Sequence, residues 1–246
     1  MLSHLWQTPA MTEGVRARRR DDVTRQVLEI GRQHLVEYGA AALSLRAVTR
    51  DLGMVSSAVY RYVANRDELL TLLLVDAYGD QADAVDAAVS ALADQPWHAR
   101  VLAGAHAFRT WAVAEPSRYA LLYGSPVPGY AAPPEVTIEP GTRVIGTVLA
   151  LVAEGVAAGE VPDGPAPHDP PEPLAADLRG VAAEVGMGTH PAVLSRALLL
   201  WSTMVGGTSL EVFGQYGADT FRDPGQAYDQ QVRMAVAVLR GTLDQP

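Results

Sequence analysis

The chain has 246 residues, no cysteine, and a formal net charge of −9 in which all 19 basic residues are arginine. The missing cysteines exclude disulfides, thiolate nucleophiles, zinc fingers and iron–sulfur clusters. Residues 1–70 carry ten arginines against eight acids and the remainder nine against twenty, so only the first quarter suits a polyanion such as DNA.

The N-terminal stretch, residues 1–21, lacks the apolar run of a secretory signal and holds Arg16, Arg18, Arg19 and Arg20. It reads as a flexible basic arm in a cytoplasmic protein, with Met11 as an alternative start; such an arm suits a minor groove or a row of phosphates, or is an ordinary solvated tail. A first helix is expected over 22–38, with Val23, Val27, Ile30 and His34 or Leu35 on one stripe and Gly39 as its C-cap. Ser44 caps a second short helix over 45–52, which Gly53 ends. Met54 and Val55 make a turn, and Ser56 caps a third helix of barely two turns reaching Tyr62. Asn65 with Glu68 forms an N-x-x-E variant of the capping box for a fourth helix, whose leucines at 69, 70, 72, 73 and 74 call for burial.

Further helices are expected over 96–114, 116–123, 140–158, 174–185, 191–216 and 224–243, several opening on proline, whose fixed φ and missing N–H suit a first turn. Residues 125–140 and 161–173 read as loops, the second Pro-rich. Strand alternation and hairpin dipeptides are missing, so the class is all-α. No window matches a membrane span; the apolar run 192–207 is interrupted by Ser195 and Arg196. The lack of lysine, with abundant Ala, Gly and Val, is a compositional sign of a GC-rich bacterial genome.

The most informative segment is SLRAVTRDLGMVSSAVYRYVANRDELL, residues 44–70. Two short helices joined by a Gly-containing turn can set the second in a major groove. Val48, Leu52, Val55, Val59 and Val63 have the spacing to lock the pair. Ser56, Ser57, Ala58, Tyr60, Arg61 and Tyr62 are left to face outward, a set suited to phosphates and base edges.

Leu52-Gly53, Val59-Tyr60, Tyr62, Arg66 and Glu68-Leu69-Leu70 fall in the order found in the DNA-binding domain of TetR-type repressors, which this segment resembles over about residues 22–75. The resemblance implies an N-terminal three-helix helix-turn-helix domain, 22–66, followed by a helical effector-binding and dimerisation domain, 67–246. It further implies that Ser44, Tyr60 and Arg66 hold phosphates while Arg46, Ser56, Ser57, Ala58, Arg61 and Tyr62 lie against bases or the groove wall. Thr49 stands where that family usually has Ala, Val63 where it often has Phe, and Arg66 where Lys is usual; an Arg fork also binds phosphate.

By the same resemblance the acidic part encloses an effector cavity, with Phe108, Trp111, Tyr119, Tyr123, Trp201 and Met204 as candidate lining residues; ordinary core packing is the alternative for each. His106 and His168 are lesser candidates. The helix over 191–216 is apolar on nearly every side, and with the last helix, bearing Val232, Ala235, Val236 and Leu239, it has the makings of half a two-fold four-helix interface. The Gly206-Gly207 pair within it permits close helix approach or a bend. Gly-rich phosphate loops, metal-ligand clusters and nucleophile elbows are missing, so an enzyme is not expected, nor a cofactor. The expected partners are double-stranded operator DNA, a second copy of the chain and an unidentified small-molecule effector. A protein-interaction adaptor or ligand-independent DNA-binding protein is the alternative.

Overall fold

The computed structural model describes residues 10–54, 56–165 and 168–242, with side chains described from residue 18 onward apart from those of Ser56 and Ser57. Every regular element among them is helical: α1 Ala10–Tyr38, a 3₁₀ turn Ala40–Ala42, α2 Leu45–Asp51, α3 Ser56–Val59, α4 Arg66–Ser90, α5 Trp97–Ala114, α6 Pro116–Tyr123, α7 Pro134–Ala157, α8 Leu174–Glu184, α9 Pro191–Val212 and α10 Pro224–Leu239. The all-α expectation holds.

Several boundaries depart from the periodicity reading. Helix α1 begins at Ala10, twelve residues early, so residues 10–21 extend a helix instead of forming a flexible arm. That run is rich in Ala and Arg, which favour helix, and it shows no apolar stripe by which periodicity could reveal it. Helix α3 is a single turn; Tyr60, Arg61 and Tyr62 follow in tighter turns closed by Arg61 N to Ala58 O at 3.4 Å and Tyr62 N to Val59 O at 2.8 Å. Helix α7 starts at Pro134, which supplies the same fixed φ that Pro140 was expected to supply, so the preceding loop is shorter and Pro140 lies inside the helix. Helices α9 and α10 end at Val212 and Leu239, each several residues short of expectation. The turn residue Val55 and the expected last helical residue, Leu243, lie outside the described residues.

The caps at Ser44 and Asn65 behave as the sequence implies, whereas Ser56, expected to cap α3, is its first helical residue. Asn65 Oδ1 accepts from Glu68 N at 2.9 Å, although Glu68 Oε2 turns back to Ala64 N, at 2.6 Å, instead of the usual Asn65 N. Gly39 and Gly53 adopt φ of 73° and 64°, left-handed geometry that a side chain would strain, and so end α1 and α2.

There are two apolar cores, and α4 belongs to both. Val23, Val27, Leu35, Val48, Val59 and Val63 pack with Leu69, Leu70 and Leu73 from the start of α4. Ala82, Val85 and Val89 from its second half join the larger core of α5 to α10. At 25 residues α4 spans about 37 Å, enough to reach across both. Gly31 lets α1 lie close to it: a Cβ there would meet Leu73 at 3.2 Å.

One helix among the described residues, α7, is long and apolar enough to cross a membrane by length and composition, which corrects the expectation that no such window exists. About a quarter of its apolar window, 28%, is buried inside the fold. Val144, Val148, Leu151 and Val152 are buried, and Arg143 is bound to Asp83 and Asp86 of α4 at 2.6 and 2.7 Å.

Candidate nucleic-acid interface

The short helices α2 and α3 are held by what they bury. Leu45, Val48 and Thr49 face inward from α2, and Val59 and Val63 flank the turn after α3, the last two fully buried. Thr49 fits a position where a smaller residue was expected because its hydroxyl donates to Leu45 O at 2.7 Å, leaving no unpaired polar atom. His34 of α1, also buried, is 2.8 Å from Asp51 Oδ2 at the end of α2. That contact, and then Arg50, holds the Asp51 carboxyl below its ordinary value.

Burying these residues turns the others out. Tyr60 is 41% exposed; Arg46 and Arg61 are exposed, while Ala58 and Tyr62 are half-buried. Arg46 and Arg61 have no ion-pair or hydrogen-bond partner for their side chains among the described residues, whereas most acids of this region already face a cation: Asp22 with Arg25, Glu29 with Arg32, Asp51 with Arg50 and His34, Asp67 with Arg66. The free charge on this face is therefore positive, as a polyphosphate requires. Ser56 and Ser57 open α3 beside it, and their side chains are not described. Arg18, Arg19 and Arg20 are exposed along α1; the Arg16 side chain lies outside the described residues.

Two expected phosphate ligands are engaged elsewhere. The Arg66 guanidinium donates through Nε to Leu43 O at 3.0 Å and through Nη2 to Ala40 O and Ala41 O, each at 3.1 Å, with Nη1 3.6 Å from Asp67. It closes the 3₁₀ turn onto the start of α4. Ser44 Oγ accepts from Ala47 N at 3.4 Å as the N-cap of α2 while the residue stays exposed.

The six candidate effector residues gather in the large core. Phe108, Tyr119 and Met204 are fully buried. The Phe108 ring centroid lies 5.8 Å from those of Tyr123 and Trp201 and 6.2 Å from that of Tyr119. Trp111 sits at the edge of this group, with the Arg118 guanidinium 5.4 Å over its ring. Tyr119 donates to Val205 O and pairs with Ser209 Oγ; burial pushes its phenol up to about 12. The rings thus cluster in one place, and Tyr123 also borders a cleft. His106 is an exposed partner of Asp229 at 2.9 Å, not a core histidine, and His168 is exposed.

Sequence reasoning missed a charged node where both domains meet. Asp76 of α4 receives Arg32 of α1 through Nε and Nη2 at 2.9 and 2.5 Å, and Arg118 of α6 at 2.9 Å; Arg118 also reaches Asp80 at 2.6 Å. The charges stand 38 to 44 residues apart, and no local pattern announces them.

A family model described as the tetracyclin repressor-like C-terminal domain matches residues 101–235. HTH-type transcriptional regulator Rv1816 of Mycobacterium tuberculosis is 50% identical over 228 residues, 92% of this chain and 96% of its own length. The crystal structure of the regulatory protein SCO4313 superposes with a TM-score of 0.71 at 31% identity, covering 90% of this chain and 98% of that one. A tetR family transcription regulator from Shewanella sp. PV-4, 17% identical with a TM-score of 0.56 over 89% of this chain and 96% of that one, shares the fold. With the C-terminal domain matched by that model and a 50% identical HTH-type regulator spanning 92% of it, this chain belongs to the TetR family of DNA-binding transcriptional regulators.

Proposed function

We propose that the chain is a cytoplasmic homodimeric repressor, without enzymatic activity, that leaves its operator when a small molecule binds its helical domain. The observation that carries the DNA-binding half is the unpaired, exposed set Arg46, Tyr60 and Arg61, clamped by buried valines to the first turns of α4. In this reading Arg46, Ala58, Arg61 and Tyr62, with Ser56 and Ser57, meet bases or groove walls, and Tyr60 and the exposed Ser44 hold phosphates. Arg66 keeps the α4 start in register with the 3₁₀ turn and acts as a positioning residue.

The dimer reading is supported by α9. Gly207 faces α10 of the same chain, where a Cβ would meet Gln231 at 2.9 Å and Tyr228 at 3.1 Å, whereas a Cβ on Gly206 meets nothing. Gly206 thus falls on an outer stripe with Leu198, Leu199, Ser202, Leu210 and Phe213, all exposed. Together with Met234 of α10 this stripe suits a second copy. In this reading the two recognition segments of the dimer sit about one DNA turn apart, or slightly more, on a two-fold operator. The aromatic core supports an effector site, and a ligand that separates the α4 helices lowers operator affinity if it binds the two arrangements unequally.

DNase footprinting of the purified protein on the DNA upstream of its own gene tests the reading. Protection is expected, with Tyr60→Ala weakening it; equal protection by wild type and Tyr60→Ala would overturn the assignment of the interface.

A further inference from the structure

Helix α6 and the segment after it hold α4 at two places, close to the turns that carry the helix-turn-helix. Arg118 of α6 makes the first grip. Its Nη2 donates to Asp76 Oδ2 at 2.9 Å, to Asp76 O at 3.2 Å and to Asp80 Oδ2 at 2.6 Å, and its guanidinium stands 5.4 Å over the Trp111 ring. Asp76 also accepts the two-pronged fork of Arg32 from α1, so one carboxylate ties the first helix of the DNA-binding domain to α6. Tyr130 makes the second grip. Thr71 Oγ1 gives its single proton to Asp67 O at 2.9 Å, so Tyr130 Oη, also 2.9 Å away, is the donor to Thr71 Oγ1. Leu121, Val127 and Tyr130 pack, partly buried, against the apolar core of the DNA-binding domain.

Two grips fix what one leaves free. Thr71 and Asp76 are five residues apart, which sets them about 140° apart around the helix and about 7.5 Å apart along it. A contact on one side lets α4 roll about its axis; contacts on two sides do not. Leu69, Leu70 and Leu73, from the same stretch, are buried with Val48, Val59 and Val63, so a roll of α4 carries α2 and α3 with it. A single head on DNA tolerates such a movement because it reorients as a body. Two heads joined through their C-terminal parts do not, since a two-fold operator fixes the distance between them.

We propose that Arg118 and Tyr130 are positioning residues for operator binding, which set the angle at which each helix-turn-helix is presented and do so without touching DNA. Arg118 is 5% exposed and so is no phosphate ligand itself. The proposal rests on the homodimeric reading above.

The test uses the duplex that footprinting delimits upstream of the gene, taken whole, cut to one half-site, and with one base pair added at its centre. Arg118→Gln and Tyr130→Phe are each expected to weaken binding to the whole duplex about tenfold, to leave half-site affinity unchanged, and to shrink the penalty for the added base pair. Equal losses on whole and half-site duplexes, or no loss on either, overturn the positioning role. Tyr130→Phe removes a single oxygen and decides the question should Arg118→Gln fail to fold. Because the chain has no cysteine, a nitroxide on Gln26→Cys, an exposed position of α1, reports the head-to-head distance within the dimer by pulsed electron spin resonance. A narrow distance distribution in wild type that broadens in both variants is expected; a width unchanged in both overturns the proposal. A wild type with no dipolar signal, or with equal affinity for whole and half-site duplexes, refutes the homodimeric reading and this proposal with it.

Discussion

Asp76→Ala removes the carboxylate on which guanidiniums from both domains converge. The side chains of Asp76 and Arg118 are 12% and 6% exposed, and that of Arg32 is 33% exposed. Breaking a buried pair costs about 3–5 kcal/mol because the surviving charge is left without compensation. Two features lower that figure here. Arg118 keeps Asp80 at 2.6 Å, and Arg32, which reaches water, keeps Glu29 at 3.8 Å. The expected loss is about 2–3 kcal/mol, or a fall of about 4–12 °C in melting temperature for a chain of this size. Urea unfolding followed by far-UV circular dichroism measures it, with a lower midpoint and an unchanged slope expected. Asp76→Asn, which keeps the shape and removes the charge, should lose most of the same stability. A loss below about 1 kcal/mol in both variants would mean that water already screens the node. The contact of α1 with α4 would then rest on the apolar packing of Val23, Val27 and Leu35 with Leu69, Leu70 and Leu73.

Gly155→Ala in α7 places a Cβ 2.6 Å from Trp97 Cε2 and 2.9 Å from Val161, so overpacking should cost about 1–3 kcal/mol in the same unfolding assay; a neutral result would show that Trp97 shifts freely. Asp51, held below its ordinary carboxylate value of 3.8 mainly by His34 and then by Arg50, contributes stability that is present above that value and is lost as pH falls through the depressed one. The melting-temperature gap between wild type and Asp51→Asn should therefore narrow from pH 7 down through the acid range, and a constant gap would contradict the assignment. Arg61→Ala, which removes a side chain assigned to bases or the groove wall, should relax sequence preference with little change in the slope of log affinity against log salt; a slope lowered by about 0.9 with unaltered preference would make Arg61 a phosphate ligand, and no change in either places it off the DNA. Leu199→Glu on the outer stripe of α9 should convert the dimer to monomer by sedimentation at micromolar concentration, and a wild-type monomer would refute the dimer itself.

Much of the DNA-binding domain could be read locally. Ser44, Asn65 and Glu68 are caps whose partners lie three or four residues away. Gly39 and Gly53 end helices through their own φ. Val48, Val59 and Val63 declare a buried face by spacing alone, and all three are fully buried. Where the reading slipped, a local cue was ambiguous: Pro134 and Pro140 are both admissible helix starts, and the arginines before Asp21 show no stripe to reveal that α1 runs through them.

The amino-acid order alone determined that this chain is helical, that its first quarter carries the free positive charge, and that a short two-helix unit presents Tyr60 and Arg61. Only tertiary structure decided that Arg66 grips the carbonyls of residues 40, 41 and 43, that Arg118 shares Asp76 with Arg32, that Phe108, Tyr119, Tyr123 and Trp201 cluster, and that an uncharged cleft opens beside α1 and α6. The physical reason is range. Periodicity and capping act within a turn or two of backbone, whereas these contacts join residues 23 to 90 positions apart, such as Tyr119 with Ser209, and exist only once separate helices have been brought together.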